Sequence, residues 1–243
     1  MPTSALGEFI GTALLILLGN GVVANVVLSE TKGHGSGWIV ITTGWALAVL
    51  SGVLVALSLG APGELNPAVS VANVIFGTRT MPDAVWHIGA QFAGAIVGQT
   101  VVWLTYLPHW ALTRDPAAIL GCHCNAPAVR ATVPNLITEI VGTMVLVIVA
   151  SAVGTRAVAG TTPATNLGPI FVGGLVWAIG LSLGGPTGYA INPARDLGPR
   201  IAHAILPIAN KGGNDWGYAW IPVVGPLVGG VLAALLWKAV APV

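Results

Sequence analysis

The chain has 243 residues, of which 55% are hydrophobic and 7% charged, and its net charge at neutral pH is +1. Soluble domains carry roughly 25% charged residues, so this composition excludes an ordinary water-dissolved globule and requires a hull that faces lipid. The near-neutral balance also excludes a nucleic-acid or strongly acidic partner.

A helix crosses the hydrocarbon core with about 20 apolar residues. In chain order, stretches at about 5–28, 38–59, 85–107, 134–154, 167–185 and 219–240 qualify. The first lacks a basic leader and is too long for the core of a signal peptide, so it reads as a span. Two further segments, at about 66–77 and 192–204, are apolar but only half long enough, which marks them as re-entrant. The longest clear loop is 108–133, with Pro108, Arg114, Asp115, Pro116, Pro127 and Arg130. The 33 glycines suit close packing of membrane helices.

The loop's Cys122 and Cys124 flank His123, which is too few ligands for a metal site. Neighbours at i, i+2 also make a poor disulfide. They read as an incidental loop pair, and neither a metal nor a cofactor is expected. His34, His109 and His123 fall in loops, and His87 and His203 near helix ends, without a constellation. No nucleophile–base pair or phosphate loop stands out, so an enzyme is not expected.

The chain repeats itself. Glu8-Phe9-Ile10-Gly11-Thr12 returns as Glu139-Ile140-Val141-Gly142-Thr143, and Asn66-Pro67-Ala68 returns as Asn192-Pro193-Ala194. Trp86 and the glycines from Gly89 to Gly98 return loosely as Trp220 with Gly225, Gly229 and Gly230. The offsets are similar and the order is the same, which means an internal duplication. Three spans plus a half-span per copy force the second copy upside down. Inverted repeats with interrupted helices at matching places point to a central translocation site. The expected fold is an all-α polytopic membrane protein with six spans and two re-entrant half-helices. It forms one unit over 1–243, with repeats at about 1–107 and 134–243 joined by a loop at about 108–133.

Two half-helices entering from opposite sides meet at their N-termini, near Asn66 and Asn192. Asn is a favoured cap and Pro a favoured next residue. The cap uses the amide oxygen, which leaves the NH2 free to donate into a lumen where both helix dipoles place positive potential. A neutral solute oxygen is welcome there and a cation is not. Extended backbone at 60–65 and 184–191 is tolerated at membrane depth only if buried or lining a wet path, so its carbonyls are expected to form an acceptor ladder.

Charges inside apolar segments are costly and mark functional or supporting residues. Glu8 and Glu139 are expected to accept loop backbone N–H groups near the half-helices. Arg195 is expected to bond loop carbonyls, keep donors for solute and repel cations. Asp196 is expected to bond backbone or Arg200 and shape the loop.

With these residues in view, the sequence resembles the aquaporin, or major intrinsic protein, family over nearly its whole length. Within that family it resembles the glycerol facilitators through Asp196 after Asn192-Pro193-Ala194-Arg195, Arg200 four residues on, and Pro222 in the last span. The resemblance implies a selectivity filter of Trp45, Gly180, Tyr189 and Arg195. In it an aromatic wall packs the CH edge of glycerol, Gly180 leaves room where a water-selective member has His, and Tyr189 adds a hydroxyl where Phe is more typical. Glu64 departs from the family's usual His two residues before the first Asn; a carboxylate there is either solvated, loop-bonded or a pH-dependent tuner of flux.

The resemblance further implies a passive channel for glycerol, water and small neutral solutes such as urea, dihydroxyacetone, hydrogen peroxide and undissociated lactic acid. It implies a homotetramer in the plasma membrane with cytoplasmic termini. Charge bias does not set the orientation: Arg79, Arg156 and Lys238 lie on the terminal side, and Lys32, Arg114, Arg130 and Lys211 on the other. The competing readings are a water-preferring channel of the same fold and an ion-coupled carrier.

Overall fold

The computed structural model describes residues 3–155 and 167–241, so Arg156 of the charge count lies outside the described residues. Among them every regular element is a helix. The long helices are α1 (Thr3–Val27), α2 (Trp38–Ser58), α4 (Met81–Thr105), α7 (Thr132–Val153), α8 (Gly168–Leu183) and α11 (Ile221–Val240). The half-helices are α3 (Pro67–Phe76) and α9 (Pro193–Ile205). Three short helices are α5 (Leu107–Leu112), α6 (Pro116–Gly121) and α10 (Trp216–Ala219), and α10 leads directly into α11.

Helices α1, α2, α4, α7 and the joined run Trp216–Val240 are long and apolar enough to cross a membrane. The fifth stretch is shorter than its apolar run: α8 has 16 residues and stops at Leu183, before Gly184. It still rises about 24 Å, most of the roughly 30 Å hydrocarbon core. Half-helices α3 and α9 have 10 and 13 residues, which is about 15 Å and about 20 Å of rise.

The two halves use the same packing. α1 lies against α2 and α4, while α7 lies against α8 and α11, and the α2–α8 contact joins the halves. Each half-helix leans on the last span of the other half, α3 on α11 and α9 on α4. Small residues make those crossings close: a methyl at Gly230 would lie 2.8 Å from the Ala68 carbonyl oxygen, and one at Gly198 would lie 2.6 Å from the Ala95 side chain. Exposed Leu47, Leu54, Val85, Leu104, Ile137, Ile170 and Leu235 are part of the apolar hull.

The connecting segment 108–133 is not a plain loop, as its polar and proline content suggested. Pro108 and Pro116 sit in the first turns of α5 and α6, where a missing N–H costs nothing. Asp115 caps α6 by accepting Ala117 N–H at 2.9 Å. Trp110 is buried with Leu28, Val102, Ile119 and Cys122, so the segment folds back onto the bundle as a lid-like layer.

Candidate functional site

Two carboxylates fix the re-entrant backbones. Glu8 Oε1 accepts Glu64 N–H at 2.8 Å, and its Oε2 accepts Leu65 N–H at 2.7 Å and Gln91 Nε2–H at 2.8 Å. Glu139 Oε1 accepts the Thr187 hydroxyl at 2.7 Å and Ala190 N–H at 3.0 Å, and its Oε2 accepts Ile191 N–H at 2.8 Å. Both carboxylates are buried. Their backbone partners are needed because Leu65 (φ 50°) and Ile191 (φ 44°) are left-handed, a conformation that costs of order 1–3 kcal/mol and is an outlier for β-branched Ile.

The left-handed turns send each carbonyl across to the other segment. Asn192 Nδ2 donates to Leu65 O at 2.7 Å, and Asn66 Nδ2 donates to Ile191 O at 2.8 Å. The amide oxygens cap the half-helices: Asn66 Oδ1 accepts Ala68 N–H at 2.9 Å, and Asn192 Oδ1 accepts Ala194 N–H at 3.0 Å and Arg195 N–H at 3.2 Å. Pro67 and Pro193 occupy the first helical positions. Neither NH2 is wholly free, contrary to the expectation from the cap alone. One N–H of each amide is spent on the crossing bond, and an amide has two, so one donor per asparagine is left.

Among the described residues, the carbonyls of Ala61, Pro62, Gly63 and Glu64 accept no protein hydrogen bond, and neither do those of Gly188, Tyr189 and Ala190. Those of Leu65 and Ile191 are taken by the asparagines. A cavity of about 610 Å³ reaches from Trp45, Tyr189 and Arg195 past Asn66 and Asn192 to Phe76, Thr78 and Trp237. Gly180 does not border it.

At the Arg195 end, the guanidinium carbon lies 4.1 Å from the Trp45 ring centre, a cation–π contact in a desolvated place. Arg195 Nη1 donates to the Asn125 side-chain oxygen, so the loop carbonyls expected as its partners are replaced by an amide. Trp45 Nε1 and the Tyr189 hydroxyl have no protein partner. Trp38 meets Tyr189 edge to face at 5.9 Å and donates from Nε1 to Gly180 O at 3.1 Å.

Asn125 is the site residue that sequence reasoning missed. Besides holding Arg195, its Nδ2 donates to Thr187 O at 2.9 Å, its N–H to Asp196 Oδ2 at 2.7 Å, and its carbonyl accepts Arg200 Nη2–H at 2.8 Å. Asp196 therefore bonds both backbone and Arg200, with Oδ1 to Arg200 Nε at 3.0 Å and Nη2 at 2.9 Å. Arg200 Nη1 reaches Asn214 O and Asp215 O. A lone Asn in a segment read as a connector gave no signal beyond its place next to Cys124.

Glu64 is a buried hub. It accepts from Ser70 Oγ at 2.6 Å, Asn73 Nδ2 at 2.8 Å, Arg79 Nε at 3.2 Å and His87 Nδ1 at 3.2 Å. His87 is thus an interior residue of α4, not a helix-end one, and its Nε2 meets Ser4 Oγ at 3.0 Å. Two other histidines also come together: the His123 and His203 rings are 4.8 Å apart. Burial pushes the His123 ring down to about 3, so it is neutral at physiological pH. Cys122 and Cys124 are free and buried, and no group of three metal-ligating side chains occurs among the described residues.

Known proteins resemble this chain in sequence and in fold. The family model described as "Major intrinsic protein" matches residues 2–237. A probable glycerol uptake facilitator protein of Thermotoga maritima is 55% identical over 234 residues, 96% of this chain and 97% of its own. A D/L-lactic acid transporter of Lactiplantibacillus plantarum is 41% identical, covering 96% of each chain. Among solved structures, the aquaglyceroporin from Plasmodium falciparum superimposes with a TM-score of 0.86 at 29% identity, covering 98% of this chain and 96% of that one. The length and level of these matches make the chain a multi-pass membrane protein of the major intrinsic protein family.

Proposed function

We propose that the protein is a passive channel for glycerol, water and other small uncharged solutes, and that it excludes ions and protons. The observation that carries this reading is the crossing of Asn66 and Asn192 at the meeting point of two half-helix N-termini inside one continuous cavity. The reading makes the chain a channel and not an enzyme, and it takes 1–243 as two inverted copies around that crossing.

The roles follow from the chemistry. Asn66, Pro67, Ala68, Asn192, Pro193 and Ala194 form the midpoint of the pore. There each asparagine keeps one N–H for the solute, and the helix dipoles oppose a cation or a hydronium. A water or hydroxyl at this point accepts from the asparagines, while the open carbonyls of 61–64 and 188–190 accept its protons. The solute exchanges hydration for a fixed ladder of partners, which is how a narrow pore keeps both passage and selectivity. Trp45, Tyr189 and Arg195 form the selectivity filter with Gly180 behind the Tyr189 ring; Arg195 offers donors to hydroxyls and the aromatic rings pack the carbon edge. Glu8, Glu139 and Asp196 buttress the loops.

The names of the relatives support glycerol first and make undissociated lactic acid a second solute. Urea, dihydroxyacetone and hydrogen peroxide fit by size and neutrality. We further propose a homotetramer, with one pore per subunit, in the plasma membrane. Stopped-flow light scattering on proteoliposomes tests the function: shrinkage in sucrose is compared with re-swelling in glycerol, with and without an uncoupler. Fast re-swelling that ignores the uncoupler supports the channel. Water flux without glycerol entry replaces it with the water-preferring reading, and loss of uptake with the uncoupler replaces it with a coupled carrier.

A further inference from the structure

The histidine pair His123 and His203 lies away from the solute path. His123 follows α6 in the layer over the bundle, and His203 lies near the end of α9. Both side chains are fully buried, and their rings meet edge to face at 4.8 Å. Their hydrogen bonds fix where each ring carries its hydrogen. His123 Nδ1 faces the Ile119 carbonyl at 2.8 Å, and His203 Nδ1 faces the Asn214 side-chain oxygen at 2.7 Å. Both partners are acceptors only, so each Nδ1 holds the hydrogen and donates it. Burial keeps the His123 ring neutral, and the Lys211 ammonium on the His203 carbonyl opposes a second positive charge there. A neutral ring with its hydrogen on Nδ1 presents a lone pair at Nε2.

Neither Nε2 has a protein donor, although both are buried. The polar hydrogens around them are committed elsewhere. Lys211 Nζ spends its three on the carbonyls of His203, Ala204 and Leu206, at 2.8, 3.0 and 2.6 Å. Trp110, whose ring lies 5.3 Å from His123, donates to the Trp103 carbonyl. The Cys122 and Cys124 thiols donate to the Ala118 and Leu120 carbonyls. Buried acceptors are as a rule paired, because a bare one keeps its full desolvation cost. The missing partner brings either two hydrogens or a positive ion. Lys211 opposes an ion, and two imidazoles fall short of the ligand set of a metal site. A water molecule has two hydrogens and no charge, and a buried water makes roughly two to four hydrogen bonds.

We infer that His123 and His203 form a buried site for one water molecule, which donates a hydrogen to each Nε2 and fastens the lid-like layer to the second half-helix. The fastening acts on Arg195. The His123 carbonyl accepts Asn20 Nδ2–H at 2.9 Å, and two residues further on Asn125 holds the guanidinium. His203 stands about two turns along α9 from Arg195. The water therefore closes a ring of contacts from Arg195 through Asn125 and His123 back to α9. Both histidines are positioning residues for Arg195. Their effect on selectivity rests on the channel reading above, whereas the water site does not.

Solid-state NMR of the full chain in bilayers, isotope-labelled at the histidine nitrogens, tests the site without a mutation. The two rings are recognised by their mutual contact. At neutral pH both are expected to carry hydrogen on Nδ1 and none on Nε2, with transfer from water hydrogens to both Nε2 atoms. Hydrogen on either Nε2, no transfer from water, or a metal found in the purified protein overturns the site. His123→Phe, His203→Phe and their double give a second reading by thermal midpoint in detergent. Either single strands the other Nε2, so each should lower the midpoint by about 3–6 °C. The double leaves no lone pair and should fall about as far as one single. Additive falls, or a rise in either single, overturn the shared water; if the variants do not fold, the wild-type spectrum decides. Each single should also shift the glycerol-to-water flux ratio about twofold, and an unchanged ratio overturns the positioning role. Wild-type protein that passes no glycerol refutes the channel reading and leaves the water site to the spectrum.

Discussion

The first re-entrant segment and the second are built on one frame and finished differently. In both, a buried glutamate binds the two N–H groups before the asparagine, a left-handed residue turns its carbonyl across, and Asn-Pro starts the half-helix. After the frame they diverge. Where the second carries Tyr189, Ala190, Arg195 and Asp196, the first carries Gly63, Glu64, Val69 and Ser70. Gly63 takes its positive φ of 70° without strain, whereas Tyr189 holds a similar turn with an aromatic ring. The charged residue of the first segment turns away into Ser70, Asn73, Arg79 and His87, while Arg195 in the second stands over Trp45 at the cavity. The shared parts support the backbone, and the parts that differ place a guanidinium against an aromatic ring at the cavity in only one segment.

Breaking the shared frame should have the largest effect. Glu139→Gln keeps the shape but cannot accept from Thr187, Ala190 and Ile191 together. It should cost about 3 kcal/mol or more, because hydrogen bonds to a buried charge are lost. A fall in thermal midpoint in detergent, with loss of both water and glycerol flux, checks this, and Glu8→Gln should behave alike. Arg195→Val converts the second segment toward the first, which has Val69 at that place. Folding and water flux should persist, while proton leak into vesicles loaded with a pH dye should rise by about tenfold as a fixed positive charge is removed from a low-dielectric site.

Asn125→Ala should loosen Arg195 without removing it. A stability loss of about 1–2 kcal/mol with a several-fold change in the glycerol-to-water ratio is expected, and a ratio equal to wild type would show that Arg195 needs no tether. Glu64→Gln should do least. Its carboxylate is enclosed by donors from α3, α4 and the turn between them, so it is neither loop-bonded nor a free vestibule charge. Flux in wild type and variant should be equally flat from about pH 6 to about pH 8, well above the ordinary carboxylate range near about 4.3. A variant that alone flattens a sloping profile would restore Glu64 as a pH-dependent element.

Much of the frame was legible because it is costly. Glu8 and Glu139 stand as charges in apolar runs, and such groups need partners; the partners are backbone N–H groups of the loops. The paired Asn-Pro-Ala motifs follow from cap chemistry, which also misled in one detail, since it says nothing of the crossing bonds that take one N–H from each amide. Asn125 was illegible because its partners Thr187, Asp196 and Arg200 lie more than sixty residues away. The folded layer over 107–121 was missed because short helices leave no long periodic pattern, only the proline and Asp115 signals that also mark turns. The placement of Gly180 could not be read either: an absent side chain does not announce which ring lies over it.

The central claim is that one path carries neutral solute through the asparagine crossing while charge is refused. The most direct measurement is made on a single batch of proteoliposomes, following glycerol re-swelling by light scattering and proton entry by an internal pH dye. The account predicts fast re-swelling with a proton leak no greater than in protein-free vesicles. Glycerol entry accompanied by proportionate proton entry would contradict it.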